Sequence, residues 1–159
     1  MKHILISVII FLLSTQITFA KEKLPIPRFV TIKSNEANVR TGPNVRYPVK
    51  WVFISKNEPV EILAEFEQWR KIRDISGEEG WVHESMLSGK RFVVVKASDN
   101  QILFKNSTNN TYPVVIVEPA VRAKLLECTG ESCRIQAKDY KGWIKKDKIW
   151  GVYKNEIYK

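Results

Sequence analysis

Few side chains in this chain are of types that do covalent or proton-transfer chemistry. The two cysteines, Cys128 and Cys133, stand five positions apart, and past the N-terminal segment His83 is the lone histidine. A thiol–imidazole nucleophile would need His83 beside one of the cysteines, although they lie in opposite halves of the chain. Zinc would need more nitrogen or sulfur ligands than the cysteine pair supplies, so no metal or other cofactor is expected. The spacing is not Cys-x-x-Cys, and no helix start adjoins it to activate a thiolate. The acidic pairs Glu65/Glu67 and Glu78/Glu79 could be imagined as glycosidase carboxylates. Their places on a strand end and a turn fit solvated charges better. No phosphate-cradling glycine loop, His-Glu-x-x-His or serine elbow occurs. The inventory points to binding.

Two binding constellations remain. Tyr47, Trp69, Arg46 and Arg70 could form a groove, with Trp69 as floor, Tyr47 as wall and an arginine meeting a carboxylate. Trp69 could equally pack beneath the loop that carries Tyr47, and both readings stand open. The second constellation is the basic, aromatic C-terminal stretch with Lys145, Lys146, Lys148, Trp150, Tyr153, Lys154 and Tyr158. It could hold an anionic wall polymer, lipid headgroups or nucleic acid. The export described next argues against nucleic acid.

The 159 residues carry a formal charge of +9 and are 44% apolar, a core-forming chain of one medium or two small domains. Met1-Lys2-His3, the apolar run Ile4–Leu13 and Thr18-Phe19-Ala20 form the three parts of a secretory signal peptide over residues 1–20, cleaved after Ala20. The run is shorter than the ~20 residues of a spanning helix. A periplasmic or secreted location is therefore expected, and with it an oxidising compartment in which Cys128 and Cys133 are disulfide-bonded. Their small loop limits the bond to about 2 kcal/mol of stabilisation. Residues 28–90 hold ten basic and nine acidic side chains, whereas residues 91–159 hold thirteen and seven. The basic excess thus sits in the second half.

The rest of the chain is one unit written twice. Arg28-Phe29-Val30-Thr31-Ile32-Lys33 recurs as Arg91-Phe92-Val93-Val94-Val95-Lys96, and Gly80-Trp81-Val82 as Gly142-Trp143-Ile144. Between them Val39-Arg40 matches Phe104-Lys105, Tyr47-Pro48-Val49 matches Tyr112-Pro113-Val114, and Ile62-Leu63 matches Leu125-Leu126. On this alignment Cys133 takes the place of Trp69, and the disulfide replaces the packing of that indole. Short β-branched or aromatic segments at Phe29–Lys33, Lys50–Ile54, Val60–Glu65, Trp69–Arg73 and Gly80–His83 predict strands. Turns fall at Thr41–Asn44 and Ser76–Glu79, and Glu84–Leu87 and Asp147–Trp150 fit single helical turns. The expected fold is all-β: two tandem small half-open barrels, over 28–90 and 91–153. An extended leader, 21–27, precedes them and a tail, 154–159, follows. Gly42 permits a tight bend and Pro48 stiffens the return after Tyr47. Trp81 and Trp143 are expected at the core edge, and Tyr112, like Tyr47, holds its loop.

Asn38-Val39-Arg40-Thr41-Gly42-Pro43, Tyr47-Pro48-Val49, Trp69-Arg70-Lys71-Ile72 and Glu79-Gly80-Trp81-Val82 resemble, in that order, the bacterial SH3 (SH3b) domain, above all that of proteobacterial envelope proteins. The second half, with Tyr112-Pro113-Val114 and Tyr140-Lys141-Gly142-Trp143-Ile144, is similar to the degenerate second copy of tandem members. The resemblance implies SH3-like barrels and a non-catalytic module that binds peptidoglycan peptides or envelope proteins. A purely structural or adaptor role is the alternative.

Overall fold

The computed structural model describes residues 24–107 and 112–159; the signal-peptide assignment and the start of the leader lie outside the described residues. Short strands follow one another in sequence: β1 (Arg28–Ile32), β2 (Ala37–Arg40), β3 (Val49–Phe53), β4 (Pro59–Phe66), β5 (Trp69–Arg73), β6 (Glu79–His83) and β7 (Leu87–Ser88). The second set is β8 (Phe92–Val95), β9 (Gln101–Phe104), β10 (Pro113–Val117), β11 (Arg122–Thr129), β12 (Ser132–Ala137), β13 (Tyr140–Lys145) and β14 (Ile149–Trp150). Each set forms one antiparallel sheet, in the orders β3-β2-β6-β5-β4-β1-β7 and β10-β9-β13-β12-β11-β8-β14. The second order is the first with seven added to every label, so the two halves share one topology.

Short elements follow from short apolar runs broken by turn residues. The predicted strands match β1, β3, β4, β5 and β6 within a residue or so. The two helical turns are 3₁₀ turns at Glu84–Met86 and Lys146–Lys148. Each barrel buries its own core, Ile32, Val39, Val60, Ile62, Ile72 and Val82 in the first and Val93, Val95, Leu103, Leu125, Ile135 and Ile144 in the second. Closure requires β2 to cross β6 at the single pair Arg40↔Trp81, and β9 to cross β13 at Phe104↔Trp143. A Cβ on Gly80 would stand 2.5 Å from the Val39 side chain, and one on Gly142 2.7 Å from Leu103. Glycine at these two places lets the strands touch.

The duplication extends to irregularities. Leu63 and Leu126 are both bulged out of register. Asn57 and Ala120 both adopt left-handed backbone, at φ 69° and 63°, and donate to the carbonyls of Ile32 and Val95. Two equivalences read from the sequence are corrected. Arg40 pairs with Val49 and Trp81 where Phe104 pairs with Pro113 and Trp143, so Arg40 corresponds to Phe104 and Pro48 to Tyr112. The two loops are equally long, and the Tyr-Pro-Val block sits one residue later in the second. Trp69 pairs with Phe66 where Ser132 pairs with Thr129, so the counterpart of Trp69 is Ser132, and Cys133 stands where Arg70 does.

The disulfide Cys128–Cys133 is formed, with the two Cα atoms 4.0 Å apart across β11 and β12. It takes the place of an ion pair in the first barrel, Arg70 Nε to Glu65 Oε1 at 3.2 Å, and not of the Trp69 packing. A second departure concerns residues 154–159, read as a tail. Tyr158 forms a β-bridge with Cys128 and packs on the core of the second barrel.

The barrels meet through side chains. Glu61, 4% exposed, accepts 3.1 Å and 2.6 Å bonds from Arg73 and a 2.8 Å bond from the Tyr153 hydroxyl. Phe29 packs on Trp150 and Tyr153 at ring separations of 5.1 and 4.8 Å, and Glu58 pairs with Arg122. Burial and then the bond to Glu61 push the Tyr153 phenol above its ordinary range, so it remains a donor at neutral pH. The hydrogen bond and the charge of Glu61 raise the Arg73 guanidinium.

Three stability outcomes follow. Ala120→Gly raises the unfolding free energy by about 1 kcal/mol, since alanine bears the left-handed cost there, while Asn57→Gly leaves it nearly unchanged. Replacing both cysteines by alanine lowers it by about 2 kcal/mol. Glu61→Ala lowers it by about 2 kcal/mol, and relaxation measurements show the barrels tumbling separately. Urea melts read the first two, and melts with backbone relaxation the third.

Candidate functional site

The loop between β2 and β3 is built by its own backbone. Thr41 N–H donates to Pro48 O at 3.0 Å, Tyr47 N–H to Asn44 O at 3.1 Å and Arg46 N–H to Asn44 Oδ1 at 3.0 Å. The Arg40 guanidinium donates to Tyr47 O at 2.8 Å. Gly42 is buried beneath the Tyr47 ring, where a Cβ would lie 2.6 Å from the ring atoms. Glycine is needed there for the ring to lie flat, more than for the bend itself. The other face of Tyr47 stays open, at 47% exposure.

Facing that loop is the tip of the β4–β5 hairpin, a two-residue turn with Glu67 at φ 48°. Its first flank, Phe66, is 52% exposed. Phe66, Tyr47, Pro43, Asn44 and Arg46 line a cleft of about 490 Å³. Of the four predicted site residues, Tyr47 and Arg46 therefore come together. The other two lie elsewhere. Trp69 is 9% exposed, its ring edge-on to His83 at 5.4 Å, and it does not line this cleft. In the second barrel the same ground, with Ser132 for Trp69, is a hollow of about 330 Å³ beside Phe104 and Trp143. Trp69 fills in one barrel what serine leaves open in the other. Arg70 pairs with Glu65 and Glu84 and donates to the carbonyls of Glu67 and Trp69.

Phe66 was missed because it reads as the apolar end of a strand. Its signal is an aromatic beside a two-residue turn, where nothing in the hairpin can cover it. Trp81 and Trp143 are half-buried at the strand crossings. Tyr112, expected to hold its loop, is 61% exposed, and it is the backbone carbonyl that accepts from Lys105.

The basic constellation is also redistributed. Lys145 and Lys154 are exposed and Lys148 is half-buried. Lys146 is not a surface charge: it is 8% exposed, and its ammonium donates to the carbonyls of Gly130, Lys154 and Glu156. Three backbone acceptors solvate it in place of water. Trp150 and Tyr153 pack on Phe29, and Tyr158 lies under Arg91, so the rings a stacking platform would offer are engaged internally.

The chain is similar to NlpC2 from Trichomonas vaginalis at 13% identity and TM-score 0.37, over 84% of this chain and 51% of that one. It is similar to an NlpC/P60 family protein from Bacillus cereus ATCC 10987 at 16% identity and TM-score 0.35, over 77% and 55%. The chain thus spans about half the length of these structures. No curated protein matches it. A family model described as the bacterial SH3 domain matches residues 33–89, which run from the end of β1 to just past β7. That match identifies the first barrel as a bacterial SH3 domain.

Proposed function

We propose that this is an exported, non-catalytic binding protein whose first barrel recognises a cell-wall peptide. One observation carries the reading: the first barrel exposes Tyr47 and Phe66 side by side in a cleft with Arg46 at its edge. Two half-exposed rings and a guanidinium suit an extended peptide that bears a carboxylate. The second barrel has Thr129 where the first has Phe66, so the recognition surface belongs to one copy. The non-catalytic reading is supported by the use of the reactive side chains. Both cysteines are bonded, and His83 Nδ1 accepts from the Ser85 backbone at the 3₁₀ turn. The exposed lysines of the second barrel, Lys145 and Lys154, would hold the protein near an anionic polymer.

A second reading, an adaptor that docks an envelope protein, is favoured by the edge strands. β3 and β10 end their sheets and expose Val49 and Val52, and Val114 and Ile116. Retention of the purified protein on isolated cell wall separates the two. Tyr47→Ala and Phe66→Ala each reduce retention at least about tenfold with unchanged circular dichroism, since each removes an exposed anchor. Retention that survives both substitutions together overturns the wall-peptide reading and leaves the adaptor.

A further inference from the structure

The second barrel shows what one end of such a barrel can hold. Past Trp150 the chain turns back over the β11–β12 hairpin. Cys128 N–H donates to Tyr158 O at 2.8 Å, and Tyr158 N–H to Cys128 O at 3.2 Å. Arg91 holds the Glu156 carboxylate with bonds of 2.7 and 3.2 Å, and its guanidinium lies 5.5 Å from the centre of the Tyr158 ring. Lys146 secures the segment by its bonds to the carbonyls of Lys154 and Glu156. The barrel thus binds a short extended segment by backbone, charge and ring together.

The register of the two sheets carries each of these positions into the first barrel. Arg28 corresponds to Arg91, Glu65 to Cys128, Glu67 to Gly130 and Glu84 to Lys146. All four line a cleft of about 470 Å³ whose apolar floor includes Val30, Ile62 and Leu87. Here the chain does not turn back, because after Gly89 it runs directly into β8. Leu24 reaches the rim from the leader side. The charges are changed as well. Glu84 stands where the second barrel has the ammonium of Lys146, and Glu67 where it has glycine. Arg28 pairs with Glu65, and Arg70 with both Glu65 and Glu84, so with Glu67 three carboxylates face two guanidinium groups and the cleft keeps a net negative charge. A carboxylate such as Glu156 has no unpaired cation to meet, whereas a cation meets Glu67 and can share Glu84 with Arg70.

We propose that this cleft binds an extended segment of a partner protein, in the place that Glu156–Tyr158 takes in the second barrel. A lysine or arginine of the partner lies against Glu67 and shares Glu84 with Arg70. An aromatic or branched aliphatic residue two positions later rests on Val30, Ile62 and Leu87. The cleft shares no lining residue with the groove of Tyr47 and Phe66, so it is a second site of the same barrel.

The test uses the chain from Lys21 onward and two labelled, end-capped hexapeptides, Lys-Asn-Lys-Ile-Tyr-Lys and Lys-Asn-Glu-Ile-Tyr-Lys. The expected result is about tenfold tighter binding of the first, with amide shifts at Glu67 and Leu87 and a preference reversed by Glu84→Lys. Glu84 is largely exposed, and circular dichroism confirms that the variant folds. Equal affinities, no binding at millimolar peptide, or a preference indifferent to Glu84→Lys overturns the proposal. Binding seen only when the chain begins at Leu24 also overturns it, and assigns the cleft to the chain's own residues 21–23. Wall retention dependent on Tyr47 and Phe66 is read separately and stands or falls independently of these outcomes.

Discussion

The buried carboxylate of Glu61 is the contact on which the arrangement of this molecule turns. A charge on β4 that is all but removed from water must be fully bonded there, and its partners come from both barrels. Arg73 supplies two bonds from the neighbouring strand, and Tyr153 supplies one from beyond β14. Tyr153 in turn donates its N–H to Glu156 Oε2 at 3.0 Å, and Glu156 is the residue that Arg91 grips. Arg91 stacks on Phe29, whose ring lies against Tyr153. The circuit closes on itself. One short segment therefore docks the barrels and seals the second of them.

That sealing explains how two copies of one fold come to differ in use. The second barrel is locked by a disulfide, by its own C-terminal segment and by the inward Lys146. The first has an ion pair in place of the disulfide and a charged cleft in place of the returning chain. It also carries an exposed Phe66 in place of Thr129. Its near-neutral charge and open surfaces suit selective contact. The exposed basic side chains of its neighbour suit attraction to an anionic surface over a Debye length. On the proposed reading, recognition and attraction are divided between the two docked barrels.

Much of the fold was legible because its signals are local. Alternation and β-branching marked β1, β4 and β5, and glycine before tryptophan marked both crossings. β2 was overlooked: Ala37–Arg40 is four residues long and is bounded by polar residues on one side and the loop on the other. The disulfide followed from the spacing and from the oxidising compartment the sequence led us to expect. Less legible was anything set by register. The Tyr-Pro-Val blocks stand one residue out of step in loops of equal length, and residue type did not fix the β5 and β12 register, so the structural mates of Tyr112 and Trp69 were misplaced by one residue. Lys146 looked like a surface charge because its three acceptors are carbonyls, which carry no trace in residue type. Glu61 and Tyr153 are 92 positions apart and belong to different barrels, so no periodicity could join them. Tyr47 and Arg46 line one cleft because they are chain neighbours in a tightly built loop, whereas Trp69 and Arg70 turn to other partners.

The most direct test of the account is a titration of the isotope-labelled chain, from Lys21 onward, with soluble peptides released from purified cell wall. The account predicts amide shifts at Arg46, Tyr47 and Phe66, with β11, β12 and the segment Tyr153–Tyr158 unmoved. Shifts confined to the second barrel, or no shifts at all, would contradict it.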